Sequence, residues 1–162
     1  LAYKYLKPDV IHMHDDWGTN KNMFFSPELW QEFIKPNEEK YVKRIHEYGM
    51  LYIHHSCGHI QQIIPDLVEI GMDAIEPVMI SNNMDELLEK YGTQITFMGC
   101  INNQMIDQDS STEEDIRAEV HRAMDAYCHK GRYIPYYIPS REDKFGIFVD
   151  EVNRYGREIF QK

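Results

Sequence analysis

The sequence predicts an α/β fold, in which short strands alternate with helices and lie side by side in a parallel sheet. Two observations favour this class. Short apolar stretches are each followed by a segment with the spacing and the capping residues of a helix. No low-complexity linker interrupts the 162 residues, so residues 1–162 are predicted to form a single domain.

The first part of the chain predicts two strands around a long helix. Residues 9–14 form the first predicted strand. Residues 26–28, Ser-Pro-Glu, then supply an N-cap, a proline at the first helical position and an acid in the first turn. The helix is expected to reach about Gly49, with a kink or break at Pro36 because proline removes a backbone donor. Residues 50–54 form the second predicted strand.

The middle of the chain repeats the alternation. Residues 59–70 carry isoleucine, leucine and valine at helical spacing, and Gly71 ends that predicted helix. A third strand is expected at residues 73–78. Asn83 then caps a short helix that reaches about Tyr91.

The last part of the chain adds two more strands. Residues 94–99 predict the fourth strand, and residues 111–114 resemble a capping box that opens a helix ending near Gly131. A fifth strand is expected at residues 133–137. An amphipathic helix from about Asp143 completes the pattern.

Composition excludes several classes of protein. The 43% hydrophobic and 12% aromatic content suits a packed core, and the net charge of −10 argues against a nucleic-acid partner. No apolar run predicts a membrane span, and the three cysteines are too few for a disulfide framework, so we expect reduced thiols and a cytoplasmic location. Because the first residue is Leu1 and not Met, we expect the chain to be a piece of a longer polypeptide.

Polar residues gather after the predicted strands. They lie at residues 15–16, 55–57, 76 and 100–103. In a (β/α)8 barrel the chemistry lies in the loops that follow the strands, whereas no strand here precedes the glycine-rich phosphate loop typical of a doubly wound sheet. The pattern therefore predicts an α/β fold that is part of a (β/α)8 TIM barrel, with about five β/α units.

The stretch Tyr52–His59 contains the strongest candidate for a metal site. Because side chains alternate along a strand, His55 and Cys57 share one face while His54 points to the other. Zinc is bound by such mixed nitrogen and sulfur ligands. The alternative interpretation is a buried thiol beside a structural histidine.

Several segments together resemble the uroporphyrinogen decarboxylase superfamily, and within it the corrinoid-dependent methyltransferase branch. The similar segments are Asp15–Gly18, Phe25–Leu29, His55–Gly58, Glu69–Val78, Phe97–Gln104 and Gly131–Ile134. They follow one another in order over nearly the whole chain. The resemblance implies a (β/α)8 barrel of which this chain is the C-terminal portion, from about the fourth strand to the eighth.

The resemblance also implies a zinc site. Methyltransferases of this branch bind zinc through a His-x-Cys pair and a more distant cysteine, and His55 and Cys57 match the pair. Residues 133–137, where the distant cysteine is expected, contain none. Cys100 is therefore expected as the third ligand, with Glu76 or Asp16 as alternatives.

Other polar residues are expected to act on the substrate. Asp15 and Asp16 are predicted to be catalytic carboxylates, although loop hydrogen bonding is an alternative role. Glu76, Asn102 and Tyr136 are expected to bind the substrate, and strand packing is the alternative for Tyr136.

Two histidines of the first predicted strand share a face with Asp16. His12 and His14 are candidates for a polar layer inside a barrel. For His12, a hydrogen-bonded core histidine is the favoured interpretation.

The function implied by the resemblance is a zinc-dependent transfer of a methyl group. The group would move between a small methylated substrate or thiol and a corrinoid (cobalamin) on a partner protein. A decarboxylase is the alternative enzyme, and it is disfavoured because carboxylate substrates call for arginines that are scarce after these strands. A third interpretation is a non-catalytic partial barrel that assembles with another chain. Open barrel edges predict self-association in any case.

Overall fold

The computed structural model describes residues 2–138 and 142–161. Within these residues, one parallel sheet contains five strands in chain order. They are β1 (Val10–His14), β2 (Leu51–His55), β3 (Ala74–Val78), β4 (Thr96–Gly99) and β5 (Tyr133–Ile134). Because each strand lies beside the preceding one, every crossover advances in the same direction along the sheet. A (β/α)8 barrel has this order, whereas a doubly wound sheet reverses it.

Helices connect the strands, and the predicted alternation is confirmed. They are α1 (Ala2–Leu6), α2 (Pro27–Phe33), α3 (Lys35–His46), α4 (Ile64–Glu69), α5 (Met84–Tyr91), α6 (Asn103–Ile106), α7 (Glu113–Tyr127) and α8 (Glu142–Phe160). A 3₁₀ turn at Gln61–Ile63 precedes α4. None of the helices in the described ranges is long and apolar enough to cross a membrane.

Prolines set several boundaries differently from the sequence prediction. The helix expected from Pro27 to Gly49, with a kink or break at Pro36, is two helices. The break is confirmed, but it lies at Ile34, and Pro36 is in the first turn of α3. A proline at that position costs no helical hydrogen bond, because first-turn N–H groups have no partner within the helix. The fifth strand ends at Ile134, since Pro135 cannot donate to a neighbouring strand.

The two faces of the sheet differ in burial. On the face that packs against the helices, Tyr52, Ile75 and Phe97 are completely buried. On the opposite face, which is the inner face of a barrel, Leu51 is 52% exposed and Ile134 is 45% exposed. The inner face is open because five strands do not close a barrel. The polar residues at its carboxyl end form the site described below.

Helices α7 and α8 are joined by a buried carboxylate. The side chain of Glu151 on α8 is fully buried and accepts hydrogen bonds from Arg154, His121 and Arg117. The hydrogen bonds from Arg154 contribute most to lowering the pKa of Glu151 to about 2, against the opposing effect of burial. Tyr155 of α8 stacks on His121 with ring centroids 3.7 Å apart.

We predict that Glu151→Gln destabilises the fold at pH 7. Removing an acceptor of charged hydrogen bonds should lower the free energy of unfolding by about 1–3 kcal/mol. The pKa of Glu151 is depressed in the folded state, so its contribution is complete above about pH 4.5 and is lost as the pH falls towards 2. Urea unfolding between pH 2 and pH 7 measures this difference. Glu158→Gln removes an exposed partner of Arg154 and is the control. An equal effect of both substitutions, or a constant difference across this pH range, would contradict the assignment.

Candidate functional site

Three neighbouring strands bring titratable side chains together at their carboxyl ends. In the sheet register, His14 of β1 lies beside His55 of β2, and His55 lies beside Glu76 of β3. Laterally paired residues in a parallel sheet point to the same face, so all three side chains lie on the inner face. His12 lies two residues before His14 and points to the same side.

Glu76 is the centre of this group. It is 1% exposed, and its Oε1 atom lies 2.9 Å from His55 Nδ1 and 2.8 Å from His12 Nε2. An ionised carboxylate only accepts, so both imidazoles donate to it. Oε2 is also buried and has no hydrogen-bond partner among the described residues.

The hydrogen bond to Glu76 sets the orientation of His55. A neutral imidazole that donates from Nδ1 carries its lone pair on Nε2, as in the carboxylate–histidine pairs that support metal ions. His55 Nε2 lies 3.5 Å from Cys57 Sγ and 3.5 Å from Asp16 Oδ1. His14 Nε2 lies 3.9 Å from the same Asp16 oxygen, and the rings of His14 and His55 are 3.9 Å apart. His55 Nε2 therefore has a sulfur atom and a carboxylate oxygen within 3.5 Å.

Close packing of two loops places Asp16 next to Cys57. Gly58 has a φ of +101°, and a Cβ atom there would lie 2.3 Å from the carbonyl carbon of Gly18. Only glycine allows this approach. Ser56 Oγ accepts a hydrogen bond of 2.9 Å from the Trp17 amide, and the Cys57 amide donates to Asp16 Oδ1 over 2.8 Å.

The surroundings of Cys57 combine burial with negative charge. Burial raises the pKa of the Cys57 thiol, and the negative charges of Asp16 and Glu76 raise it further. A divalent cation reverses this effect, because coordination stabilises the thiolate and neutralises the carboxylates. Among the residues that the structure describes, two sets of three side chains have ligand atoms close enough together for one metal ion: His14, Asp16 and His55, and His12, His55 and Glu76. Neither set includes Cys57. These donors and the unpartnered Glu76 oxygen fit zinc.

A cavity of about 520 Å³ opens beside these groups. His55, Cys57 and Tyr136 line it near the possible metal ligands, and residues 99–104 line it after β4. None of the described lining residues is Lys or Arg. Burial, followed by the charge of Glu76, raises the pKa of Tyr136, so its hydroxyl group stays protonated and can donate a hydrogen bond.

Three other residues predicted for the site, Cys100, Asn102 and Asp15, are not among the two sets of possible metal ligands. Cys100 is buried at the end of β4 and lines the cavity, but neither set of possible metal ligands contains it. Burial raises the pKa of its thiol, which lies near Tyr127. Asn102 also lines the cavity, and its side chain accepts a hydrogen bond from the Met105 amide. Asp15 is joined to β2 through its backbone, since its amide donates to the His55 carbonyl over 3.2 Å.

Two residues of the site, His12 and His14, were not predicted from the sequence to contact His55 or Glu76. His12 and His14 alternate on β1 with Asp16 following, which is the same spacing that identified His55 and Cys57. The missing information was the register, which places His14 beside His55 and leaves His12 within reach of Glu76. His12 is hydrogen bonded as expected, but it is not a core residue, because its side chain is 49% exposed. Its partner is the carboxylate that orients His55.

Comparison with known proteins agrees with the fold. In a solved methyltransferase from Methanosarcina mazei, the matching region has a TM-score of 0.68 and 18% sequence identity. The match covers 91% of this chain and 42% of the methyltransferase chain, so this chain spans about two fifths of that protein's length. This similarity confirms the prediction of a partial (β/α)8 barrel. Among curated proteins, a search found no significant match.

A family model gives the classification. The model of uroporphyrinogen decarboxylase (URO-D) matches residues 7–135, which contain all five strands and the histidine, cysteine and glutamate residues described above. The matched region is well over half of the chain. This chain therefore belongs to the uroporphyrinogen decarboxylase family.

Proposed function

We propose that this chain carries the metal-binding part of a zinc-dependent methyltransferase. The enzyme would move a methyl group between a small methylated substrate or thiol and a corrinoid on a partner protein. The observation that carries the proposal is the 2.9 Å contact between His55 Nδ1 and Glu76, which directs His55 Nε2 towards Cys57. The similarity to a methyltransferase fold is consistent with it.

The donors proposed to hold zinc come from two adjacent loops and a strand end. His55 Nε2 and Cys57 Sγ form the core of the set, and Asp16 Oδ1 and His14 Nε2 are the nearest additional donors. Cys100, which also lines the cavity, stays a proposed ligand. When bound, zinc lowers the pKa of a coordinated thiol or polarises an ether oxygen, which makes the group a better nucleophile or leaving group.

The protein groups around these donors have separate tasks. Glu76 holds the proton of His55 on Nδ1 and keeps the ring from rotating. Tyr136 presents a hydroxyl donor to the cavity, where it would orient an oxygen or sulfur atom of the substrate. Asp16 is the better supported of the two proposed catalytic carboxylates because it lies 3.5 Å from His55 Nε2. Asp15 is exposed beside it and would act at the mouth of the site.

A carboxy-lyase is the second candidate, and the family match favours it. Its substrates carry carboxylates, which proteins bind best with arginine. The absence of Lys and Arg from the described cavity lining argues against such a substrate at this position. The cavity suits a neutral or positively charged molecule better.

Association with further polypeptide is proposed in addition. β1 and β5 each pair with one neighbour among the described strands, and the exposed inner face carries Val10, Leu51 and Ile134. Open strand edges beside apolar surface favour pairing with another chain. A non-catalytic partial barrel that assembles in this way is the third candidate.

The proposed association predicts that the mass of the 162-residue chain in solution depends on concentration. We expect dimers or larger species at micromolar concentration in sedimentation velocity experiments, because pairing buries the open edges. Leu51→Lys should shift the distribution towards monomer, whereas Tyr5→Lys, an exposed control outside the sheet, should not. A monodisperse monomer at these concentrations would refute the proposal.

The proposed reaction predicts methyl transfer that depends on Cys57. The chain should be assayed in its full natural reading frame with methylcobalamin as donor and a small thiol as acceptor. Cys57→Ala should abolish transfer, because the thiol is one of the two central zinc donors. Cys128→Ala, which alters a half-buried cysteine on the C-terminal end of α7, should retain it. Release of carbon dioxide from a tetrapyrrole carboxylate, without any methyl transfer, would favour the carboxy-lyase.

A further inference from the structure

Helix α7 carries a buried acid on its apolar face. Its other buried side chains are Ile116, Val120, Ala123 and Met124, whereas Glu119 is 4% exposed on the same face. A carboxylate in such surroundings is retained only where hydrogen bonds compensate its lost hydration. The hydrogen-bond partners of Glu119 therefore indicate its role.

Glu119 and Arg122 together hold the backbone of the segment that follows β4. Glu119 Oε1 accepts a hydrogen bond of 2.7 Å from the Asn102 amide. Both carboxylate oxygens also accept from Arg122, at 2.6 and 2.7 Å. Arg122 Nη2 in turn donates to the Cys100 carbonyl over 2.7 Å. The ion pair thus binds a carbonyl and an amide that are two residues apart.

One residue of this segment has a conformation that it disfavours. Gly99 has a φ of +128°, which glycine adopts readily, whereas Cys100 has a φ of +53°, in the left-handed region. A residue with a Cβ atom is strained there. Such strain persists only when surrounding contacts determine the geometry, and the ion pair supplies two of those contacts.

The same segment forms one wall of the proposed substrate cavity. Residues 99–104 line it, and Asn102 caps α6 by accepting from the Met105 amide. The position of Asn102 therefore fixes where α6 begins. Asn103 and Gln104, the first two residues of α6, line the cavity as well. A shift at the ion pair would move the wall without touching His55 or Cys57.

We propose that Glu119 and Arg122 are positioning residues that hold the cavity wall formed by residues 99–104 in its substrate-binding shape. The part of this inference that concerns substrate rests on the proposed methyltransferase function. An ion pair that only stabilised its own helix would bond within that helix, as Glu39 and Lys43 of α3 do. Glu119 and Arg122 differ because they also bind Asn102 and Cys100.

The direct test is amide hydrogen exchange in Glu119→Leu, in the absence of substrate. Leucine fills the buried space but leaves the Asn102 amide unpaired. Exchange of Asn102 should accelerate about tenfold or more, the equivalent of one lost charged hydrogen bond, while Phe97 in β4 stays protected.

Glu119→Gln should restore part of the protection, since its amide oxygen still accepts from Asn102. Glu113→Gln is the control and should change neither site. Unchanged Asn102 exchange in Glu119→Leu would overturn the proposal.

A second variant covers the case in which Glu119→Leu does not fold. Arg122 is 44% exposed at its side chain, so Arg122→Met removes the donor to Cys100 at little cost in packing. It should accelerate exchange in residues 100–102 in the same way. Exchange that stays unchanged in Arg122→Met would also count against the proposal.

Steady-state kinetics then test whether the Glu119–Arg122 ion pair affects substrate binding. With methylcobalamin as donor and a small thiol as the varied substrate, Glu119→Leu should raise KM about tenfold and leave kcat within about twofold. Zinc held through His55 and Cys57 should be retained. Unchanged KM with a lowered melting temperature would mean that the pair has a structural role alone. A total absence of methyl transfer in the unaltered protein would overturn the proposed function and the substrate role together, whereas the exchange rates would still decide whether the pair holds the wall.

Discussion

The Oε1 atom of Glu76 accepts hydrogen bonds from His55 and His12, and the arrangement of the site depends on these two contacts. They join three consecutive strands, so the site depends on the register of β1, β2 and β3. A one-residue shift would turn His55 to the opposite face. The site is therefore built by the sheet, and the loops add Asp16 and Cys57 to it.

Side chains alternate along β2, so His54 and His55 lie on opposite faces of the sheet and have different surroundings. His54 is buried on the helix-facing side, where it stacks on Trp17 at 4.0 Å and lies 3.0 Å from the hydroxyl of Tyr52. Its Nε2 atom lies 3.2 Å from the Asp15 carbonyl, so it supports the backbone of the loop that carries Asp16. Two adjacent imidazoles thus support the same site from opposite faces of the sheet. His55 contributes a donor atom, whereas His54 contributes packing and a hydrogen bond.

Much of the fold could be predicted from the sequence, because apolar periodicity and capping residues are local signals. The helix break near Pro36 was predicted, but its position was not, because the proline lies in the first turn of the second helix. The fifth strand was predicted too long, because Pro135 ends it. The meeting of His55, Cys57, Asp16 and Glu76 was predictable, since the carboxyl ends of parallel strands lie together. The role of Glu76 as a partner of imidazoles was not predictable, because it depends on distances between strands far apart in sequence.

The roles of residues further from the strand ends were harder to predict from the sequence. Glu119 interrupts the apolar face of α7, which indicates a buried acid, but nothing in the sequence shows that its partner is the Asn102 amide. The left-handed backbone of Cys100 is equally hidden, because it results from packing of Gly99 against β3. The side chains that could carry the chemistry can be identified from the sequence. The residues that hold those side chains in position are identified only from the structure.

We propose that Glu76 orients His55 for a metal ion, and the zinc affinity of a Glu76 variant measures this effect. The chain should be stripped with a chelator and titrated with Zn²⁺, with bound metal and zinc–sulfur distances measured by X-ray absorption. The unaltered protein should bind zinc stoichiometrically, with sulfur at about 2.3 Å. Glu76→Leu should weaken binding about 10–100-fold while the sulfur contact is kept, because the imidazole loses the group that orients it. Unchanged affinity in Glu76→Leu, or zinc that is held without a sulfur ligand, would contradict the account.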